Sequence, residues 1–348
     1  MMEDFDFTKE IEQCANIDID WAKIDNKVVM ITGATGLVGK FLIQVLLQRN
    51  KEKDLHTKVI AVSRKRKKFQ ERFSDYIEDK CLELFEYDVQ QPCNYNGKLD
   101  LIIHMASNTH PRIYATDPIG TEMTNILGTY YLLQRALYNK GCRFVFVSSG
   151  DVYGDNLSTK EYLSEKDCGY IDCNTLRAGY IEGKRASEAL CNAFKEANNV
   201  DFVIARLCRI YGPTMQLDDS KAISQFIKNA ILGENIVLKS KGQQTFSYLY
   251  IYDVVTALLT IISKGESGNA YNVADNNQCI SLRDLASILA IIGKTMVVYD
   301  IPDNLESKGA STFQNVRLDA TKLYSLGWRS MVNMEEGLKN TVYRLKSS

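Results

Sequence analysis

The chain is short of the residues that most often announce a metal site, a disulfide framework or a polyanion-binding surface. Its three histidines, His56, His104 and His110, stand at no metal-ligand spacing, and its nine cysteines (14, 81, 93, 142, 168, 173, 191, 208 and 279) include no CxxC pair. No metal is therefore expected. Cys142, Cys191 and Cys208 fall in apolar stretches, where a thiol packs as a small hydrophobe, and the odd count fits a reducing compartment. Lys and Arg number 42 against 43 Asp and Glu, a formal net charge of −1, so no global field is available to hold nucleic acid. Five prolines and 21 glycines exclude a collagen-like or low-complexity chain. The acidic start, MMEDFDFTKEIEQ, lacks the apolar run of a signal peptide, and greasy runs such as residues 257–263 are too short to cross a bilayer. What remains, 45% hydrophobic and 24% charged over 348 residues, describes a soluble, cytoplasmic globular protein without nucleic acid or membrane as partner.

Residues 1–26 read as a polar, partly helical leader anchored by Trp21. The run 27–32 is β-branched, ends in glycines and leads into a helical pattern at 41–48. Strand patterns at 58–63, 82–89, 99–105 and 143–148 alternate with a basic helix at 64–80 and a helix at 121–138. Such alternation predicts a parallel sheet covered by helices on both faces. After Tyr180 a long helix (180–197) precedes a strand at 201–206 and shorter elements, with helices at 250–263, 282–291 and 334–345. No repeat or linker interrupts the chain. The expected organisation is a dinucleotide-binding core over 27–180, with 181–348 completing that core and forming a smaller, interleaved C-terminal α/β lobe for substrate.

Between the first strand and its helix lies Thr32-Gly33-Ala34-Thr35-Gly36-Leu37-Val38-Gly39. Glycines at this spacing allow a tight turn, let backbone approach a pyrophosphate and permit close helix–strand packing, while the helix start offers unpaired N–H groups to negative charge. A doubly wound, Rossmann-type α/β fold follows, with Gly33, Thr35, Gly36, Leu37, Val38 and Gly39 as cofactor contacts. Beyond the second strand, where NAD sites usually place an acid for the ribose hydroxyl, this chain has Ser63 and Arg64 followed by Lys65-Arg66-Lys67-Lys68. A cation there attracts a 2′-phosphate and accepts no hydrogen bond from a hydroxyl, which favours NADP over NAD. Lys67 and Lys68 read as a solvated helix face. Asp88 is placed to accept from the adenine amino group.

Tyr180-Ile-Glu-Gly-Lys184 puts Tyr180 and Lys184 on one helix face, one turn apart. A phenol is a poor base near neutrality; an adjacent ammonium and an oxidised nicotinamide are expected to lower its pKa and make Tyr180 a proton acceptor. Ser149, at the end of the fifth strand, is placed to hold the same substrate hydroxyl. Tyr180 and Lys184 thus count as both catalytic and cofactor-binding.

At these motifs the chain resembles the extended short-chain dehydrogenase/reductase superfamily of sugar-nucleotide epimerases, dehydratases and decarboxylases. The resemblance runs through TGATGLVG (32–39), YDV (87–89), HMAS (104–107), NILGT (125–129), SSGDVYG (148–154), YIEGK (180–184), RIYGP (209–213), YIYD (250–253), YNVAD (271–275) and LDATKLYSLGW (318–328). It adds Val89, Met105, Ala106 and Ser107 to the cofactor-lining set. It implies oxidation of a hexosyl C4 hydroxyl to a ketone, a reaction made easy by that ketone, and return of the hydride. Within the superfamily, SSGDVYG, residues 176–191 and residues 212–226 look most like UDP-glucuronate decarboxylases, whose β-keto acid loses carbon dioxide before reduction to a pentose.

Asp151 matches the position of the decarboxylase glutamate and reads either as a proton-handling carboxylate or as a turn residue capping Gly154. Gly150 stands where dehydratases carry the first acid of a pair. Arg209 replaces the asparagine usual before the YGP-type turn, whereas the arginines that such decarboxylases carry at the positions of Thr214 and Lys221 and near Phe246 are missing. Arg209 is expected to supply the lost charge from another direction. Ser107, Asn108, Arg177, Arg209 and Lys221 form the candidate substrate set, although Arg177 equally fits a salt bridge within its loop. His104 reads as a packed histidine; Trp328 and Tyr248–Tyr252 read as core. A nucleotide sugar is the expected small-molecule partner, and a homodimer through the helices at 121–138 and 180–197 is the default assembly. A 4-epimerase, a 4,6-dehydratase, a net NADP-dependent reductase or dehydrogenase, and a non-catalytic dinucleotide-sensing module remain alternatives.

Overall fold

A computed structural model describes residues 6–109, 111–155, 160–217, 219–300 and 315–347. His110, and Asp218 in the 212–226 segment, lie outside the described residues. Helix α1 (Phe7–Ala15) is capped by Asp6, whose carboxylate accepts from Thr8 N, and Trp21 is buried under the Arg49 guanidinium at 3.8 Å. There follow β1 (Val28–Thr32), α2 (Leu37–Lys53), β2 (Lys58–Ser63), α3 (Arg66–Arg72), β3 (Leu82–Glu86), β4 (Leu101–His104), α4 (Pro111–Thr116), α5 (Pro118–Tyr138), β5 (Arg143–Ser149), α6 (Ala178–Asn198) and β6 (Asp201–Leu207). The second half contributes β7 (Arg209–Tyr211), α7 (Ala222–Leu232), β8 (Ile236–Leu238), β9 (Thr245–Tyr250), α8 (Ile251–Lys264), β10 (Asn269–Val273), β11 (Cys279–Ser281), α9 (Leu282–Gly293), β12 (Val297–Tyr299), β13 (Asn315–Val316), α10 (Thr321–Tyr324) and α11 (Met334–Lys346).

Seven strands make one parallel sheet in the order β10-β6-β5-β4-β1-β2-β3, so two strands from beyond Tyr180 complete its far edge. Along β5, Phe144 and Phe146 point to one face, where Leu132, Leu133 and Ala136 of α5 and Cys191 of α6 cover them. Val145 and Val147 point to the other, toward the residues of α2 and α8. Burial on both faces is why these strands read as continuous apolar runs rather than alternating ones. The smaller lobe holds a four-stranded sheet (β11-β9-β13, with β7 beside β9) and the β8–β12 pair.

Several expected boundaries move. The basic helix expected at 64–80 is limited to α3 and a short 3-10 turn, Ser74–Tyr76, because Phe73 leaves helical geometry (φ −124°) to bury its ring completely. β3 stops at Glu86, and Asp88 turns the chain by accepting from Gln90 N at 3.1 Å. β4 stops at His104 because the Met105 and Ala106 N–H groups donate to Thr32 Oγ1, at 3.1 and 3.0 Å. α5 starts three residues early, with Pro118 in its first turn and Asp117 accepting from Gly120 N at 3.0 Å. No helix among the described residues is long and apolar enough to cross a membrane.

Candidate active site

The site lies at the carboxyl ends of the central strands, where open α/β sheets hold ligands. Its floor is the glycine turn. Gly33 sits at φ +70°, and a Cβ there would come within 2.9 Å of the Met105 carbonyl carbon. A Cβ on Gly39 would lie 2.4 Å from Gly33 O and 2.8 Å from Ala34 Cα. Only glycine permits this close packing, and α2 begins directly behind Gly36 with no side-chain cap. Thr32 fastens the floor to β4: its hydroxyl accepts from Met105 and Ala106 N, leaving its proton for His104 Nδ1 at 2.8 Å. His104 is 1% exposed, and burial lowers its pKa to about 3, so it is neutral. It is less satisfied than a packed histidine need be, because its Nε2 has no hydrogen-bond partner among the described residues.

These residues fit a dinucleotide. The turn leaves backbone room for a pyrophosphate. Arg64 is exposed and makes no hydrogen bond or ion pair among the described residues, while Arg66 faces Glu86 at 3.6 Å and Lys67 faces Glu71 at 3.9 Å. Ser63 Oγ is spent locally on the Lys65 backbone. Ser107 donates to Asn125 Oδ1 at 2.9 Å and Asn108 donates to Thr121 Oγ1 at 3.3 Å, tying both to the start of α5. Val89 is buried against the same helix at Gly128.

Ser149 ends β5 opposite Leu207, and its hydroxyl lies close enough to the Tyr180 phenol to pull that phenol's pKa down. Tyr180 and Lys184 are both buried on α6, at 6% and 3% exposure. Lys184 Nζ donates to Val147 O at 2.8 Å and lies 4.7 Å from the Phe146 ring centre. Burial draws its pKa down to about 7, against the pull of the Glu188 carboxylate one turn along. The expected lowering of the tyrosine by its lysine is not what the chain alone produces. Burial and then Asp151 push the Tyr180 phenol well above the ordinary range, with Ser149 and Arg177 opposing, because Lys184 is engaged with the Val147 carbonyl.

Asp151 sits in the single 3-10 turn after Ser149, its carboxylate 3.3 Å from Arg177 Nη2. Gly154 is capped by the Asp151 backbone carbonyl at 3.0 Å, so the carboxylate is not the cap. Lys221 Nζ reaches Asp219 at 3.0 Å and Thr109 Oγ1 at 3.3 Å, bridging the loop after β4 to the start of α7. Arg209 is half-buried; its guanidinium lies 3.6 Å above the Phe246 ring centre and makes no hydrogen bond or ion pair among the described residues.

Three supports were not named from the sequence as parts of the site. Glu188 accepts from Ser148 Oγ at 2.6 Å and from Arg206 Nη2 at 2.6 Å, and Arg206 donates to Tyr153 at 3.0 Å. This buried pair joins the catalytic helix to the strands on either side of it. Its signal was a Glu four residues after Lys184, on the same face. Thr214 and Gln216, from the loop after β7, donate to Leu37 O at 2.8 Å and Thr35 O at 3.4 Å, gripping the glycine turn from the lobe. Tyr114, on α4, stacks on Tyr180.

A glycine-turned first strand and a buried Ser–Tyr–Lys group at the fifth define a dinucleotide-dependent α/β enzyme. The profile of the NAD dependent epimerase/dehydratase family matches residues 29–274, and the chain belongs to that family. UDP-glucuronic acid decarboxylase 1 of Xenopus tropicalis is 30% identical over 321 residues, which cover 92% of this chain and 72% of the relative. UDP-glucuronic acid decarboxylase 6 of Arabidopsis thaliana is 28% identical over 314 residues, 90% of this chain and 87% of the relative. The fold matches that of a dTDP-glucose 4,6-dehydratase from Streptomyces venezuelae solved with NAD, with a TM-score of 0.77 at 23% identity over 92% of this chain and 97% of that one. Family and relatives are NAD-dependent enzymes that epimerise, dehydrate or decarboxylate sugar nucleotides.

Proposed function

We propose that the protein oxidises a nucleotide-linked sugar at C4 and later returns the hydride, with decarboxylation of a uronic acid between the two steps. The observation that carries this reading is the buried Tyr180 and Lys184, one turn apart on α6, beside Ser149 at the carboxyl end of β5 and near the glycine turn. Ser149 positions the C4 hydroxyl and Tyr180 takes its proton, so electrons left on oxygen form the ketone as the C4 hydrogen departs. A bound nicotinamide dinucleotide supplies the acceptance and return of that hydride. Lys184, one turn along α6 and held on the Val147 carbonyl, favours the phenolate only in its protonated form, which a pKa of about 7 leaves partly populated near neutral pH. With a carboxylate at C5, the C4 ketone makes a β-keto acid: the C5–C6 bond breaks, carbon dioxide leaves, its electron pair passes into an enolate on C4, and C5 takes a proton from water to restore the ketone. Tyr180 then gives its proton back to the C4 oxygen when the pentose is reduced.

Arg209 supports an anionic sugar. Its guanidinium is stacked on Phe246 with its donors unspent, so a substrate carboxylate or phosphate can be gripped in a fixed plane. A 4,6-dehydratase is disfavoured because Gly150 replaces one acid and Asp151 is tied to Arg177. Exposed, uncommitted Arg64 supports NADP as the preferred cofactor.

The test is product mass after incubation with NAD+ or NADP+ and UDP-glucuronate, UDP-glucose, dTDP-glucose or GDP-mannose. Loss of carbon dioxide from UDP-glucuronate is the expected result. Loss of water, or conversion at unchanged mass, would replace the decarboxylase reading with a dehydratase or an epimerase.

A further inference from the structure

Tyr180 does not lie alone in its pocket. The Tyr114 ring lies 5.1 Å from the Tyr180 ring, centre to centre, with the planes 24° apart. Tyr114 is 8% exposed and stands on α4, whose end is fixed to α5 by the Asp117 N to Ile113 O bond at 2.8 Å. α5 in turn packs along α6, which carries Tyr180. Two phenols are therefore held face to face, Tyr114 on α4 and Tyr180 on α6, with α5 packed against both helices. Around the pair stand Asp151, Arg177 and Asp219. Burial pushes the Tyr114 phenol far up, and Tyr180, Asp151 and Asp219 push the same way, so Tyr114 keeps its proton and does not compete for the substrate's.

A phenol oxygen accepts a proton along lone pairs that lie in the plane of the ring. Ser149 lies beside the Tyr180 phenol, and rotation about the ring axis leaves the phenol oxygen in place while turning its lone pairs. A stacked neighbour is what fixes the plane.

We propose that Tyr114 is a positioning residue that sets the ring plane of Tyr180 and so aims its oxygen at the substrate hydroxyl. This rests on Tyr180 being the proton acceptor. The ring, not the hydroxyl, of Tyr114 carries the role. Loss of stacking lowers kcat by about 10- to 100-fold, the range set by misaimed reacting groups, while KM and cofactor affinity stay near their starting values.

The test uses the full-length protein and whichever of the four nucleotide sugars above it converts fastest. Tyr114→Leu, Tyr114→Phe, Tyr180→Phe and the Tyr114→Leu/Tyr180→Phe double variant are compared for kcat, KM and thermal midpoint. Tyr114→Leu is expected to lose kcat alone, Tyr114→Phe to restore it to within about threefold, and the double variant to be no slower than Tyr180→Phe. Additive losses in the double variant, an unchanged kcat in Tyr114→Leu, or a loss confined to KM would overturn the proposal. If Tyr114→Leu loses thermal stability, failure of Tyr114→Phe to restore kcat in a folded protein overturns it instead. Full turnover in Tyr180→Phe, or no turnover of any sugar by the wild type, sinks the underlying reading of Tyr180 and this proposal with it. Full turnover in Tyr114→Leu beside an inactive Tyr180→Phe sinks this proposal alone.

Discussion

At the scale of single residues, burial and commitment decide what each side chain can do. Burial draws the Lys184 pKa down to about 7 while its amine donates to the Val147 carbonyl; the Arg64 and Arg209 guanidinium groups make no hydrogen bond or ion pair among the described residues. Arg64→Ala is expected to weaken NADP+ binding about tenfold or more and to leave NAD+ within about twofold, as read by fluorescence titration of each dinucleotide. Equal loss for both would make Arg64 a general electrostatic contact. Gly33, Gly36, Gly39, Ser149, Tyr180 and Lys184 could be picked out from the sequence because their chemistry depends on local spacing, a turn or one helical turn. Tyr114 could not, because it meets Tyr180 only through the packing of α4 against α5 and α6. The effect of burial on Tyr180 was equally hidden: a one-turn spacing to Lys184 does not say that the ammonium points at Val147.

At the scale of elements, the sequence pattern located six of the seven strands of the sheet, all but β10, and most helices, and missed where several of them end. Those ends are set by partners far along the chain, as when Thr32 captures the N–H groups after β4. The leader is a similar case. It was legible as partly helical, yet its role depends on a buried cluster beneath it. Glu10 of α1 accepts from Tyr250 at the end of β9 at 2.8 Å and from Asn340 of α11 at 3.2 Å, and burial raises its pKa to about 7. Asp253 of α8 accepts from Met331 N at 2.7 Å and Val332 N at 3.2 Å, and burial again raises it to about 7. Both folded-state values exceed the unfolded ones, so the folded form binds these protons more tightly. The stabilisation they bring is complete below about pH 4 and is lost as pH rises through about 7. Glu10→Gln, which keeps a neutral acceptor for Tyr250, is expected to be more stable than wild type by roughly 1–3 kcal/mol at pH 8 and to flatten the dependence between pH 5 and 8. Urea midpoints across that range check this; a variant with the wild-type slope would show that Glu10 is not the group that titrates.

At the scale of the whole molecule, the doubly wound sheet and the family were legible in ordered motifs, while the substrate was not. The second half of the chain is built from short strands and loops whose contacts, such as Arg209 on Phe246 and Thr214 on Leu37, join residues distant in sequence. Thr214 and Gln216 also hold the glycine turn, so on the proposed reading substrate and dinucleotide share one continuous structure. Such a site suits a reaction in which the hydride leaves and returns within a single binding event. The central claim is therefore internal redox, and absorbance at 340 nm tests it directly. Protein carrying one equivalent of dinucleotide is given a large excess of the preferred nucleotide sugar, and absorbance and product are followed together. The account predicts many turnovers per dinucleotide with a transient rise that never exceeds one equivalent. Product that stops at one equivalent, with the absorbance rise retained, would contradict it.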